Sequence, residues 1–280
     1  RLSEHGVPPL CWSVAHAGPI AASVTDCALA YATIAGQDAL DQATHGQPPP
    51  HLEGLDNGDL SGMRVGLYRP WFEDAHPEVV QGCERGLASL VEAGAQIVEI
   101  EVSDLSIIKN AHMISIISEI ASSQRAHDSK RLSHYGVETR LNLKLAAALG
   151  AHDYVSAQRE RGRLYRQFEE LFTTVDVIVT PTTGRTAPLI PGNALKTGLS
   201  DLPDTDQIMR FAPAANLTGL PAISVPSGYD SDGLPIGLQL MGRAWEEHTL
   251  LRLARVIERA VERQAPSVWI NPLGTTPVHP

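Results

Sequence analysis

The spacing of hydrophobic residues predicts helices and strands that alternate along the chain. Ser23 and Asp26 make a capping-box-like start for a helix whose apolar residues recur at helical intervals. The segment RVGLY at 64–68 predicts a short strand, and Pro77 suits the first turn of a second helix. The segment QIVEIEV then predicts another strand. This order is typical of a strand, helix, strand unit.

The middle of the chain is predicted to be mainly helical. Residues 104–122 are apolar at helical intervals, although their isoleucines are also compatible with a strand, and we predict a helix there. Residues 138–172 predict two helices that break near Gly150. Earlier in the chain, residues 42–62 are polar and rich in turn-forming residues, which indicates a surface connection.

The segment VDVIVTPTTGRTAPLIPG changes at Pro181 from a β-branched run to a loop. Such a run is typical of a strand buried on both faces, and ligands of open α/β sheets bind beyond the carboxyl ends of such strands. Further on, Pro213 is predicted to kink or end a helix. Two more strands, AISVP and PIGLQLMG, are predicted to be joined by the turn YDSDG, and a final helix is predicted at 246–263. The predicted fold class is therefore α/β.

Composition and charge exclude several classes of function. The 280 residues are 43% hydrophobic, which is enough for a sizeable core. The net charge is -10 and the arginines are interleaved with glutamates, so we predict no nucleic-acid binding. Cys11, Cys27 and Cys83 form no C-x-x-C pair, so neither a disulfide nor a zinc site is expected, and a reducing, cytoplasmic location fits. No run of residues reaches the length of a membrane span.

Three long segments carry a resemblance to a known family. The chain resembles the C-terminal half of an amidase signature hydrolase in RLSEHGVPPLCWSVAHAGPIAASVTDCALAYATIAG, DVIVTPTTGRTAP and NLTGLPAISVPSGYDSDGLPIGLQLMGRAWEEHTLLRLA, which occur in family order. The middle of the chain, including AHMISIISE, is similar to plant-type fatty acid amide hydrolases. The resemblance implies an amidase-signature fold, a mixed β-sheet flanked by helices. Residues 1–280 are then expected to be the C-terminal part of a single amidase domain, with the N-terminal signature block missing.

The resemblance implies a serine hydrolase that cleaves amides. Its parts are a nucleophilic serine, a second serine on a cis peptide bond, a neutral lysine base and backbone N–H groups that stabilise the oxyanion. In the family these parts precede the segment that corresponds to RLSEHG, and this chain contains no glycine- and serine-rich block. We therefore predict that the triad lies upstream of Arg1, that no residue of this chain is catalytic, and that the chain alone is inactive.

The other serines, lysines and histidines have ordinary explanations. None of the four lysines stands beside a glycine- and serine-rich loop, and each is expected to be solvated: Lys109, Lys130, Lys144 and Lys196. Ser3, Ser13 and Ser227 are expected to serve turns and connections. His16 lacks a positioned partner, so a structural role is expected for it. No metal or organic cofactor is predicted.

The contribution expected from this part of the family's sequence is a substrate pocket. Seven residues, in two loops near strands and in the helix before AISVP, are predicted to bind substrate: Thr180, Thr182, Thr183, Met209, Phe211, Asn216 and Thr218. Their hydroxyl and amide groups could line one side of a cleft, and Met209 and Phe211 could supply apolar walls for an acyl chain. The alternative is that the polar residues cap strand ends and the apolar residues pack in the core.

Three functions compete on these observations. The first is amide hydrolysis by the intact protein, with fatty acid amides or N-acylethanolamines as substrates, a homodimer by family analogy, and peripheral contact with an intracellular membrane. The second is a non-catalytic amidase-like interaction module that uses an exposed sheet edge. The third is an A-type amidotransferase subunit, which passes ammonia to a tRNA-linked substrate together with partner proteins. The middle segment, similar to lipid amidases, favours the first function over the third.

Overall fold

The structure is a computed structural model that describes residues 1–126 and 131–264. Within these residues the strands are β1 Arg64–Leu67, β2 Gln96–Glu99, β3 Val177–Pro181, β4 Ala222–Tyr229 and β5 Pro235–Gly242. The α-helices are α1 Val24–Ile34, α2 Arg69–Phe72, α3 Pro77–Glu92, α4 Leu105–Ser123, α5 Val137–Ala146, α6 Ala151–Leu171, α7 Ala194–Thr197, α8 Leu202–Met209, α9 Ala212–Thr218 and α10 Glu247–Ala260.

The described strands form one mixed sheet in the order β2-β1-β3-β5-β4. Strand β1 pairs in parallel with β2 and β3, and Val65 lies between Ile97 and Val177. Strand β5 runs antiparallel to β3 and to β4, so that β2 and β4 are the two edges. The central strand β3 is buried along its whole length, as its β-branched residues predict. The predicted α/β class, a mixed sheet flanked by helices, is confirmed.

Apolar side chains fill both faces of the sheet and form two cores. On one face α3 and α10 cover the sheet, α1 packs on α10, and Leu90, Leu240 and Leu253 are buried in the first core. On the other face α4, α6 and α9 enclose Phe168 and Phe211 in the second core. The candidate site described below lies where these two cores meet the free edge of β4.

A half-buried carboxylate links three strands at the middle of the sheet. Asp176, directly before β3, accepts hydrogen bonds from Arg64 on β1 and from Arg243 after β5, each at 3.1 Å. Burial by itself would raise the pKa of Asp176, but the hydrogen bonds from Arg64 and Arg243 outweigh it and lower that pKa. Asp176 therefore links β1, β3 and the end of β5 through hydrogen bonds from two arginines.

Most predicted elements are confirmed, and the differences lie at their ends. The helix predicted at 104–122 is α4, and the break predicted near Gly150 separates α5 from α6. Strand β3 ends at Pro181, where the β-branched run was predicted to change to a loop. The predicted helix around Pro213 is two helices, because Pro213 lies in the first turn of α9, where a missing N–H costs nothing. Strand β2 is four residues long and shorter than the segment QIVEIEV.

Candidate functional site

Two adjoining cavities lie beside the edge strand β4. The first, called the cleft here, has a volume of about 590 Å³ and is lined mainly by segments 16–19 and 219–222, Asn216 and Trp245. The second, called the groove, has a volume of about 700 Å³ and runs between segments 18–24 and 221–226. The two cavities share six residues: Gly18, Pro19, Tyr31, Pro221, Ala222 and Glu247.

A buried glutamate holds the segment that precedes the His16–Pro19 wall of the cleft. Glu119 on α4 accepts hydrogen bonds from the Ser13 backbone N–H at 2.9 Å, the Ser13 hydroxyl at 2.5 Å and the Tyr154 hydroxyl at 2.8 Å. Arg161 on α6 donates to the Ser13 carbonyl at 2.8 Å. Burial and the hydrogen bond to Glu119 raise the pKa of Tyr154. These contacts fasten the segment before His16 to two helices.

Asn216 supplies a polar group to the wall of the cleft and lies against a buried histidine behind it. Asn216 on α9 lies with its Nδ2 3.3 Å from Nε2 of the buried His112 on α4. Burial lowers the pKa of His112 to about 4, and the nearby His16 adds to this shift. His112 is therefore neutral at pH 7 and can accept a hydrogen bond from the Asn216 amide. The amide group of Asn216 is thus oriented at the edge of the cleft.

The groove is an opening into the first core. Five of its lining residues belong to that core, namely Val24, Tyr31, Val225, Leu250 and Leu251. The acidic groups at its rim are already paired with arginines. Glu247 lies 2.9 Å from Arg1, and Glu258 lies 3.0 Å from Arg255 and accepts the Val24 N–H at 2.8 Å.

The structure places three of the seven predicted site residues inside the protein. Thr180 is buried, donates to the Pro181 carbonyl and accepts a hydrogen bond from Gln239 Nε2 at 2.9 Å. The same Gln239 nitrogen lies 3.3 Å from the carbonyl of Phe211, whose ring packs against Trp71 in the core. The hydroxyl of Thr218, also buried, donates to the Ala214 carbonyl one turn back at 2.7 Å.

The remaining predicted residues are more accessible but are not brought together. Thr182 lies 2.7 Å from the Ser224 hydroxyl across the sheet, and Thr183 donates to the Arg185 carbonyl. Met209 ends α8 and is exposed. Of the seven residues, Asn216 lines the cleft. A substrate-binding role for the seven residues stays a prediction.

Several residues of the site were not identified from the sequence. Glu119 and His112 lie within the apolar pattern of α4, and nothing in their spacing shows that they meet residues about one hundred positions away. The guanidinium carbon of Arg1 lies over the indole ring of Trp245, 4.9 Å from the centroid of that ring. The backbone of Trp245 has a positive φ of 71°, which only the structure shows. The motif AHAGP was noted in the sequence, and its His16–Pro19 segment does line the cleft.

The serines and lysines singled out in the sequence have structural surroundings. Ser3 donates to Asp38 at 2.6 Å, and the buried Ser227 hydroxyl lies 3.4 Å from the Ile236 carbonyl. The exposure predicted for the lysines is confirmed for Lys109, Lys144 and Lys196, and Lys130 lies outside the described residues. Over residues 1–126 and 131–264, no group of three metal-ligating side chains is found. Nor does any helix in these ranges combine the length and the apolar character needed to cross a membrane.

Comparison with protein families and curated proteins gives consistent results. The amidase family profile matches residues 1–251. The chain is 44% identical over 269 residues to a fatty acid amide hydrolase of Medicago truncatula and 41% identical over 266 residues to one of Arabidopsis thaliana. Both matches cover 92% of this chain and 44% of the relative, so the chain spans less than half the length of these relatives. Identity to the A-type subunit of a glutamyl-tRNA(Gln) amidotransferase of Cereibacter sphaeroides is 31%.

Solved structures share the fold. A chain from a vestigial protein complex, described as revealing the origins of an s-triazine catabolic enzyme, superposes with a TM-score of 0.81 at 24% identity. The A-type subunit of the glutamyl-tRNA(Gln) amidotransferase of Thermotoga maritima superposes with a TM-score of 0.72 at 27% identity. The first match covers 92% of this chain and 56% of the other, and the second covers 92% and 55%.

Proposed function

Because this chain belongs to the amidase family, we propose that it forms the substrate-binding side of an enzyme that hydrolyses amides, with fatty acid amides as the substrate class. The observation that carries the substrate class is the 44% identity to the Medicago truncatula fatty acid amide hydrolase over 92% of this chain. The identity to amidotransferase subunits is lower, at 31%, and favours amide hydrolysis over ammonia transfer.

The cleft supports this proposal because it combines a polar and an apolar wall. Its volume of about 590 Å³ suits a small molecule. Asn216 would hydrogen-bond the substrate amide, while Leu220 and Trp245 would contact the carbon chain. A fatty acid amide has both kinds of surface, with one polar group at the end of a long apolar chain.

The catalytic groups are proposed to come from amidase sequence outside this chain. They are a serine nucleophile, a second serine and a lysine that acts as base in its neutral form. Ser3, Ser13 and Ser227 are proposed to stay structural because their hydroxyls already serve loops and a strand. Lys109, Lys144 and Lys196 are exposed, and none of them lines the cleft.

The first test joins this chain to the part of the Medicago truncatula relative that the match does not cover. The joined protein is expected to hydrolyse an N-acylethanolamine, and this chain alone is expected to hydrolyse none. Release of ethanolamine is measured, with gel filtration and circular dichroism as checks of folding. Hydrolysis by the chain alone, or a folded joined protein that releases ammonia from glutamine and leaves fatty amides intact, would refute the proposal.

The second test removes the proposed amide contact in the joined protein. Asn216→Ala is expected to raise KM by about fivefold with kcat changed less than about twofold, because one hydrogen bond to the bound substrate is worth about 1 kcal/mol. The matched control is Asn193→Ala, since Asn193 is exposed and lies outside the cleft. Equal KM values for the two variants would show that Asn216 does not contact the substrate.

A further inference from the structure

Arg161 on α6 joins two segments that are far apart in the chain. Its Nη2 donates a hydrogen bond to the Ser13 carbonyl at 2.8 Å, and its Nε donates to the Leu217 carbonyl at 2.5 Å. Ser13 lies before α1, whereas Leu217 lies in α9. The guanidinium is planar and its N–H donors point in fixed directions, so one arginine can hold two carbonyls at a fixed separation.

The Leu217 carbonyl needs a donor from outside its own helix. Leu217 is 1% exposed and lies in the last turn of α9, where backbone carbonyls have no partner within the helix. A buried carbonyl without a donor is costly, and an arginine side chain is one of the groups that can satisfy a helix end. Arg161 therefore fixes the end of α9 that carries Asn216.

Neighbouring residues on α6 hold Arg161 in this position. Gln158 Oε1 lies 3.5 Å from Nη1 of Arg161, and Nε2 of Gln158 donates to the buried Ser115 hydroxyl on α4 at 2.9 Å. Tyr165, one turn further along α6, lines the cleft. Residues one turn apart share a face of a helix, so Arg161 lies on the face of α6 that is turned toward the cleft.

The two carbonyls belong to the two walls of the cleft. Ser13 shortly precedes His16–Pro19 in one wall, and Leu217 directly follows Asn216 in the other. Arg161 itself does not line the cleft. An effect of Arg161 on a bound molecule must therefore pass through the positions of these two walls.

We propose that Arg161 is a positioning residue for the amide substrate: it sets the separation of the two walls and holds Asn216 where its amide group meets the substrate. This inference rests on the proposed function, because it takes the cleft as the substrate site. The guanidinium orders the cleft from behind its walls. An uncharged substrate with an apolar chain then meets no cationic group from Arg161.

The first measurement uses the joined protein described above. Arg161→Met is expected to raise KM for an N-acylethanolamine by at least about fivefold with kcat changed less than about twofold, because the displaced Asn216 loses its hydrogen bond to the substrate. Arg159→Met is the matched control and is expected to leave both constants unchanged, since Arg159 is exposed on the same helix. Arg161→Lys is expected to behave like Arg161→Met, because an ammonium lacks the fork that reaches two carbonyls.

A double variant shows whether Arg161 acts through Asn216. Arg161→Met combined with Asn216→Ala is expected to have a KM within about twofold of that of Asn216→Ala alone, because two changes that remove one contact do not add. The inference is wrong if the two effects on KM multiply, or if Arg161→Met lowers kcat at unchanged KM, as a loss of folded protein would. It is also wrong if Arg161→Lys keeps the wild-type KM.

Hydrogen exchange on this chain alone separates this inference from the proposed function. Arg161→Met is expected to speed exchange at the backbone amides of both walls, residues 14–18 and 216–220, by at least about tenfold, while exchange in β3 keeps its wild-type rate. Unchanged exchange in either wall would overturn the inference, whatever the joined protein hydrolyses. Faster exchange in both walls, together with a joined protein that hydrolyses no fatty amide, would overturn the proposed function and leave Arg161 as the residue that joins the two walls.

Discussion

Glu119 is the residue on which the wall of the cleft depends. It is a buried carboxylate that receives three hydrogen bonds from two other segments of the chain, through Ser13 and Tyr154. A buried charge is tolerated only when hydrogen bonds replace its hydration. Each donor would in turn be left unsatisfied if the carboxylate were removed.

Glu119→Ala is therefore expected to lower the free energy of unfolding by about 2–3 kcal/mol, because buried donors lose their acceptor. Urea denaturation measures the change. The control is Glu101→Ala, at an exposed position, with an expected change within about 0.5 kcal/mol. Similar values for the two variants would mean that the hydrogen bonds to Glu119 add nothing to stability.

His112 makes the stability of this fold depend on pH. Its pKa is lowered from 6.5 to about 4, chiefly because the side chain is buried. Between these two pH values the unfolded state binds a proton that the folded state does not bind. The contribution of His112 to the free energy of unfolding is therefore fully present above pH 6.5, and it is lost as the pH decreases toward 4.

The loss expected from His112 over this pH range is on the order of 3 kcal/mol, since one pKa unit corresponds to about 1.4 kcal/mol. The measurement is urea denaturation at pH 7, 5.5 and 4.5. His112→Gln keeps a polar group beside Asn216 and is expected to show a smaller loss of stability between pH 7 and 4.5 than wild type. His134→Gln, at an exposed position, should retain the full loss. Parallel pH curves for all three proteins would rule out this role of His112.

Among the elements, α3 shows how closely a helix can approach the sheet. A Cβ atom at Gly82 would lie 2.8 Å from Cδ1 and 2.9 Å from Cγ2 of Ile236 on β5, closer than carbon atoms approach in folded proteins. Gly86 meets Leu238 and Ser227 at 3.0 Å in the same way. The glycines lower the intrinsic helix propensity of α3 but permit its packing on β5.

Gly82→Ala is expected to destabilise the protein by about 1 kcal/mol, because the overpacking cost of about 1–3 kcal/mol exceeds the gain in helix propensity of about 1 kcal/mol. Gly162→Ala on α6 is the matched control. Beyond the helix's own backbone and the adjacent residues, no atom lies within 4 Å of the position that its Cβ would take, so it should stabilise the protein by about 0.5–1 kcal/mol. Thermal unfolding of both variants shows whether each substitution raises or lowers the stability of the protein. Two stabilised variants would show that Ile236 moves aside without cost.

Across the whole molecule, the sequence predicted some helices and strands well, but it did not predict how the strands are ordered in the sheet. The helix α4 and the strand β3 follow from periodicity and β-branched content, which act within a few residues of each other. Pro213 was predicted to kink or end one helix, whereas the structure has two helices, α8 and α9, with Pro213 in the first turn of α9. A proline shows where a helix is disturbed but not on which side of it the next one begins. The strand order, with β4 at an edge, depends on pairings between segments far apart in the chain.

The sequence by itself determined the α/β class, the order of elements and, through its motifs, membership of the amidase family. These depend on local spacing and residue type. Only the tertiary structure decided that Phe211 and Thr180 lie in the core, that Asn216 meets His112, and that Glu119 holds Ser13. The physical reason is that burial and pairing arise between residues more than 100 positions apart, where the packing of helices on the sheet, and no local pattern, sets which side chains meet.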